Sequence, residues 1–479
     1  MEKVFSILEN SLMKPMGKIS QFKIVRAVMA AGMASIPFTI VGSMFLVFNI
    51  LPLTFPGLEG FYNKTFANFS DLYMVANFAT VGILAIYFGL VIGYELTRIA
   101  QDEEKLNVNP LNGALLSLFA FFMCLPQFTK GGGKIQLSND TKDPTNMLVE
   151  GIQFAGNGIQ RLGTAGIFTA IIMAIAATSI YTLCVRRNWV IKMPDTVPPG
   201  VARSFTALIP AFLIAFAILI LNGILNLMGT DIYEIISIPF AFVQYITNSW
   251  LGIMVIMFLI SALWIVGIHG ANIISAFITP ITLTNMQLNQ HGSNIPFAGE
   301  FNNSFAILGG SGATLGLTIF IALMAKSSQL KVLGKAAVVP SLFNINEPII
   351  FGMPIVYNPY MAIPFFLAPM ATASLAYWSI KLHIVKPIIA QVPWPSPAGI
   401  GAFIGTAGDW KASVVALLCV VLAFVIYFPF IKVYDAKLVA EEEEQAAALA
   451  AESKGKESIT KTESKVEAKV DKKKTAEAK

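Results

Sequence analysis

The stretch Ser341-Leu342-Phe343-Asn344-Ile345-Asn346-Glu347-Pro348-Ile349-Ile350-Phe351-Gly352 sets one carboxylate between an asparagine and a proline inside a long apolar neighbourhood. The nearest other charges in the chain are Lys335 before it and Lys381 after it. Proline lacks an N–H and biases the preceding residue away from helical geometry, so a broken or turning segment is expected at Glu347. At membrane depth an ionisable side chain is costly and faces a polar cavity, and non-helical backbone is tolerated only where it is buried in protein or lines a water-filled cavity. Glu347 is therefore expected on the floor of a polar site, with the rest of the chain as its housing.

That housing is apolar. The 479-residue chain is 55% hydrophobic and 13% charged, with a mean hydropathy of +0.68, which contradicts a soluble multidomain protein. Residues 27–58, 72–94, 106–129, 162–185, 204–230, 301–325, 348–380 and 412–431 contain no Asp, Glu, Lys or Arg. Each meets or nears the ~20 residues a helix needs to cross ~30 Å of hydrocarbon. The class is an all-α polytopic membrane protein. The first twenty residues are amphipathic, carry Lys3, Lys14 and Lys18, and do not read as a cleaved secretory leader. A net charge of +5 spread over loops gives no nucleic-acid signal. Cys124, Cys184 and Cys419 are widely spaced in apolar surroundings and read as small core residues, without metal or disulfide spacing.

An interfacial amphipathic helix is expected over residues 2–18, then a first span at about 27–51 preceded by five basic residues, which places the N-terminus in the cytoplasm. Further spans follow at about 72–97, 108–127, 162–185 and 204–229, with a turn-rich polar excursion at 128–161 lying outside. Residues 235–299 carry no charged side chain other than histidine and are punctuated by Pro239, Gly252, Gly267, Gly270, Pro280 and Gly292. A span fits at 249–268, and 271–286 is short enough to be re-entrant. Crossings at 302–325, 358–380 and 411–433 bring the count to nine, and keeping Lys326 inside requires a tenth just after Ile235. The expected organisation is an N-terminal half, 1–200, a C-terminal half, 201–437, and a disordered polar cytoplasmic tail, 438–479.

His269 stands in Gly267-Ile268-His269-Gly270-Ala271-Asn272 at the end of an apolar span. The flanking glycines permit unusual backbone and close approach, and Asn272 adds a polar partner, so His269 is a functional candidate. His291 and His383 sit in loop-like surroundings and are weaker candidates. Gly309-Gly310-Ser311-Gly312 and Gly163-Thr164-Ala165-Gly166 are not Walker sequences, and they read as sites of close helix packing, with a substrate-lining role as the alternative. Trp394, between Pro393 and Pro395, suits either a headgroup anchor or an aromatic platform for the apolar face of a sugar.

Four runs together carry a resemblance: Gly-Ile-His269-Gly-Ala-Asn272, Gly309-Gly310-Ser311-Gly312-Ala-Thr314, Phe343-Asn-Ile-Asn-Glu347-Pro-Ile-Ile-Phe-Gly352, and Pro393-Trp394 followed by Gly-Ile-Gly401-Ala-Phe403. Across about residues 5–437 the chain resembles the membrane component, enzyme IIC, of the lactose/cellobiose/diacetylchitobiose branch of the bacterial phosphoenolpyruvate-dependent sugar phosphotransferase system. The resemblance implies a homodimer in the cell membrane, joined through the five N-terminal spans, and a sugar-binding C-terminal half with two re-entrant hairpins. It implies import of a β-linked disaccharide whose 6-hydroxyl is phosphorylated from a phosphocysteine on the IIB protein, itself fed through IIA, HPr and enzyme I. The permease then acts as a subunit of the phosphotransferase and needs no cofactor, metal or nucleic acid. A polar tail after residue 437, where lactose-type relatives can carry a fused IIB domain, favours a cellobiose or diacetylchitobiose type with IIB separate. In that scheme Glu347 accepts or orients the 6-hydroxyl proton and His269 holds the same ring. Asn272, Asn344 and Asn346 bind other hydroxyls, and Trp394 stacks. The rival readings are a proton-coupled secondary transporter, with Glu347 and His269 as the relay, and, well behind it, a membrane-embedded hydrolase.

Overall fold

The structure, a computed structural model, describes residues 21–54, 56–131, 134–138, 146–155, 158–191, 205–265, 269–353 and 359–476, together with Lys18, Pro194, Gly267 and Ile355. The interfacial helix expected at 2–18 and most of the linker around residue 200 lie outside these residues. Apolar chain in lipid must satisfy its own backbone polar groups, and helices do so within one segment. In the N-terminal half these are α1 (Lys23–Thr54), α2 (Pro56–Thr65), α3 (Ser70–Phe78), α4 (Leu84–Asp102), α5 (Pro110–Phe122) and α6 (Ile167–Arg186). The C-terminal half contains α7 (Leu208–Leu227), α8 (Ile232–Thr247), α9 (Trp250–Ile265), α10 (Gly270–Gln290), α11 (Leu315–Leu323) and α12 (Ser328–Leu342). The short α13 (Glu347–Gly352), α14 (Pro359–Lys381), short α15 (Ile400–Gly405) and long α16 (Trp410–Ala476) complete it.

Six helices among the described residues are long and apolar enough to cross a membrane, and α8 with α9, bent by 82°, make a seventh candidate. Several of the apolar stretches expected to cross are broken in the structure. The stretch 72–97 divides into α3 and α4 around a 3-10 turn at Val81–Ile83, where the Thr80 hydroxyl turns back to the Ala76 carbonyl at 2.7 Å. The stretch 302–325 divides because Gly309, Gly310 and Gly312 take φ of +86°, +100° and +86°, which no right-handed helix contains. On α7, Phe212, Phe216, Leu219 and Ile220 remain exposed, as residues do on a membrane-facing helix.

Helices α4 and α5 approach closely through small residues. A Cβ on Gly93 would lie 2.2 Å from the Ser117 hydroxyl, and one on Gly113 would lie 1.8 Å from that of Thr97. The polar excursion 128–161 carries β-structure that the turn formers alone did not announce. Its antiparallel ribbons are β1 (Phe128–Gly131) with β2 (Lys134–Leu137), and β3 (Asn146–Val149), β4 (Ile152–Ala155) and β5 (Gly158–Ile159). Arg161 fastens this region to the second half: its Nη1 donates to Asp231 Oδ2 at 2.8 Å and to the Leu125 carbonyl at 3.2 Å. Both partners of this ion pair are buried. The three cysteines are free and buried.

The polar tail, whose composition suits a disordered or weakly helical segment, continues α16 to Ala476. Alanine, glutamate and lysine are strong helix formers, and Lys437 and Glu441 pair one turn apart. Residue 437 is not a boundary of interaction either. Asp435 accepts from the backbone N–H groups of Lys326 and Ser327, and Glu442 accepts from the Ser327 hydroxyl at 2.6 Å and from the N–H groups of Ser328 and Gln329. Two carboxylates of α16 therefore occupy the N-terminus of α12, where unpaired N–H groups and the helix dipole favour negative charge.

Candidate functional site

Helix α10 starts on His269. The Asn272 N–H donates to His269 Nδ1 at 3.3 Å, so the imidazole caps the helix, and with Nδ1 accepting, the proton of the neutral ring sits on Nε2. The ring lies 4.5 Å from that of Trp264, tilted by 47°. Gly270 is required here by space, since a Cβ would come within 2.3 Å of the Ile260 carbonyl oxygen.

The Asn-Glu-Pro segment breaks between α12 and α13, but Glu347 itself is helical: it opens α13, with Pro348 in the first turn, where its missing N–H costs nothing. The turn lies earlier, at Asn344, whose φ is +61°. Asn344 Oδ1 accepts from Gly309 N–H at 2.8 Å, and its Nδ2 donates to the carbonyls of Trp394 (2.8 Å), Asn303 (3.2 Å) and Ser396 (3.3 Å). Asn346 Nδ2 donates to the Ser311 carbonyl at 2.6 Å and Thr314 Oγ1 at 2.9 Å. The two asparagines thus brace the glycine loop and the tryptophan turn around Glu347. Gly310 must be glycine, because a Cβ there would lie 2.4 Å from Asn346 Oδ1.

These pieces surround a cavity of about 480 Å³, in the ~300–1,000 Å³ range of small-molecule sites. His269, Asn272, Asn344, Asn346, Glu347 and Trp394 all line it, together with Gly310 and Ser311 of the glycine loop. Among the described residues that line it there is no Lys or Arg. Glu347 Oε2 is buried without a hydrogen-bond partner among the described residues. Asn272 and Trp394 are exposed side chains at the cavity, free to meet a ligand. His383 lies elsewhere, with its Nε2 3.3 Å from Asn294 Nδ2, and His291 is likewise outside the lining.

Among the polar liners not singled out from the sequence are Trp264, Glu300, Asn303 and Gln391. Glu300 carried a readable signal, being the first acidic residue after a long stretch without one. The wall contributed by α1 carried none. Its Ser35 hydroxyl donates to the Gly32 carbonyl and Thr39 to those of Ser35 and Ile36, leaving Val28, Met29, Met33 and Ile36 as an apolar side to the cavity. The cavity is therefore lined from α1 as well as from residues after 201.

The described residues form a helix bundle with several apolar spans and a cavity lined by carboxylates, amides, a histidine and two tryptophans. The chain belongs to the EIIC family of the phosphotransferase system, whose family model matches residues 29–369. It is 34% identical to the lichenan permease IIC component of Bacillus subtilis (strain 168), covering 92% of this chain and 96% of that one. It is also 34% identical to the cellobiose-specific EIIC component of Geobacillus stearothermophilus, covering 92% and 97%. Among solved structures it superposes on ChbC, the IIC component of the N,N'-diacetylchitobiose-specific phosphotransferase system, with a TM-score of 0.81 and 31% identity, over 91% of this chain and 99% of that one. Membership implies a sugar substrate and a IIB partner.

Proposed function

We propose that this chain imports a β-linked disaccharide of the cellobiose or diacetylchitobiose type and presents its 6-hydroxyl to phosphorylated IIB. The observation that carries the reading is the unpartnered Oε2 of Glu347 in a cavity with no Lys or Arg among its described lining residues. A buried acceptor left unsatisfied costs about 1–3 kcal/mol, and a sugar hydroxyl supplies the missing donor. As the phosphorus–sulfur bond of the IIB phosphocysteine breaks and the phosphorus–O6 bond forms, the O6 proton passes to Glu347. His269, with Nε2–H as donor, holds an oxygen of the same ring. Trp394 supports the apolar face of a ring, and Asn272 offers its free amide to a hydroxyl. Asn344 and Asn346 serve by positioning. The relatives' printed substrates and the resemblance to ChbC support the sugar class. Both termini are assigned to the cytoplasm, and a homodimer contacts itself and lipid through the N-terminal spans.

Proteoliposomes test this directly. With IIB and its phosphate donors supplied, sugar phosphate should accumulate inside. Concentrative uptake of unmodified sugar on a pH gradient alone, the behaviour of a proton symporter, would sink the proposal.

A further inference from the structure

The glycine loop, residues 309–312, forms one wall of the cavity through Gly310 and Ser311. Three of its four residues are glycines at positive φ, and glycine gives up more conformational freedom on ordering than any other residue. The shape of this wall therefore depends on what ties it down. On the cavity side Asn344 Oδ1 accepts from Gly309 N–H, and Asn346 Nδ2 donates to the Ser311 carbonyl. From behind, the Tyr427 hydroxyl of α16 donates to the Gly312 carbonyl at 2.8 Å.

Tyr427 is fully buried and stands outside the cavity lining. The aromatic residues near it in the chain, Phe424, Phe428 and Phe430, carry no polar atom, and the first two pack on Phe320 of α11. A phenolic oxygen in that apolar row is costly to bury unless it is bonded, and its bond goes to the glycine loop. The support behind it is stiff. Helix α11 lies so close to α16 that a Cβ on Gly316 would come within 2.7 Å of Phe424 Cβ. Further along α16, Asp435 holds the N–H groups of Lys326 and Ser327 at the head of α12.

The link to Glu347 has two steps. Gly312 follows Ser311, and the Ser311 carbonyl is held by Asn346 Nδ2 at 2.6 Å. Asn346 immediately precedes Glu347 at the head of α13. A Gly312 carbonyl that loses its donor turns the loop, shifts the Ser311 carbonyl and frees Asn346, and the direction of the Glu347 carboxylate is freed with it.

We propose that Tyr427 is a positioning residue for phosphoryl transfer: its hydroxyl fixes the glycine loop and, through Ser311 and Asn346, sets the reach of Glu347 towards the sugar. This rests on the reading of Glu347 as acceptor of the O6 proton. Such a residue acts on rate more than on affinity, because misplacing a reacting group by about 1 Å costs up to about 10²-fold while the other sugar contacts survive.

The test is transfer from phosphorylated IIB on the purified full chain, at varied concentrations of cellobiose or diacetylchitobiose, whichever wild type phosphorylates. Wild type, Tyr427→Phe, Glu347→Gln and the double variant are compared. Tyr427→Phe deletes one oxygen and keeps the ring, so the maximal rate should fall about 10- to 100-fold with the half-saturating sugar concentration within about threefold of wild type. Added to Glu347→Gln, the same change should alter the rate by less than about threefold, since the group it positions is already disabled. A Tyr427→Phe maximal rate within about twofold of wild type overturns the inference and leaves the transport reading standing. So does an equal loss from Tyr427→Phe in both backgrounds, which would assign the tyrosine to general stability, and so does a Tyr427→Phe protein that fails to purify. A wild-type rate in Glu347→Gln removes the role of Glu347 and the inference with it, and wild type that transfers phosphate to neither sugar overturns both readings.

Discussion

Asn344 and Trp394, 50 residues apart in the chain, are joined by a 2.8 Å hydrogen bond from the Asn344 amide to the Trp394 carbonyl. The same side chain accepts from Gly309 N–H, so one asparagine sets the glycine loop, the tryptophan turn and the approach to Glu347 relative to one another. Replacing it by alanine strands several backbone groups and puts a residue without a local polar partner at φ +61°. Asn344→Ala is expected to lower the melting temperature and weaken sugar binding together, at a cost of about 1–3 kcal/mol in stability or more. A melting curve and a titration on the same preparation check it; a variant with normal melting and selectively lost binding would make Asn344 a ligand instead.

Glu347→Gln keeps the shape of the side chain and removes its ability to take a proton. IIB-dependent phosphorylation is expected to fall about 10²–10⁴-fold, the usual range for a general base. Equilibrium sugar binding should fall much less, because the other hydroxyls keep their partners. Equal losses in both measurements would assign Glu347 to binding alone.

The carboxylates at the head of α12 divide the tail in two. Removal of residues after Ala447 is expected to leave melting and transport near wild type. Removal after Leu438 deletes Glu442 and its bonds to Ser327, Ser328 and Gln329, and should lower the melting temperature. Identical melting of the two truncations would show that Asp435 suffices as the cap.

The Arg161–Asp231 pair is 8% and 7% exposed at its two side chains, and Arg161 also lies 4.3 Å above the Tyr233 ring. Breaking it by Arg161→Met leaves a buried, unpaired carboxylate and should cost about 3–5 kcal/mol. The double change Arg161→Met with Asp231→Leu should recover much of that loss. A double variant as unstable as the single one would mean that the bond to Leu125, not the ion pair, carries the effect.

The class of fold was legible because uncharged runs of spanning length admit little besides helices. Their continuity was not. Whether residues 302–325 form one helix or a loop followed by α11 depends on three glycines taking positive φ, and glycine takes either sign. Glu347, His269, Asn272 and Trp394 were legible as site candidates because each is a polar or aromatic exception in an apolar or proline-bounded context. Asn344 and Asn346 were legible as important, but their partners are backbone carbonyls far away in the chain, which no local pattern reveals. Gln391 and the α1 wall were missed for the same reason: an ordinary glutamine and an ordinary apolar helix become cavity residues only through packing.

The hydroxyls of Ser35 and Thr39 are spent on their own helix, so α1 meets the cavity with methionine and aliphatic surface while the carboxylates and amides stand opposite. Girth and chemistry are thereby governed by separate segments of the chain. Exchanging Met29 or Met33, pliable side chains that pack around irregular shapes, is expected to change how bulky a guest is admitted, since neither residue makes a polar contact in the cavity. A lineage with this layout can drift towards thicker or slimmer cargo one residue at a time, with its reacting groups left alone.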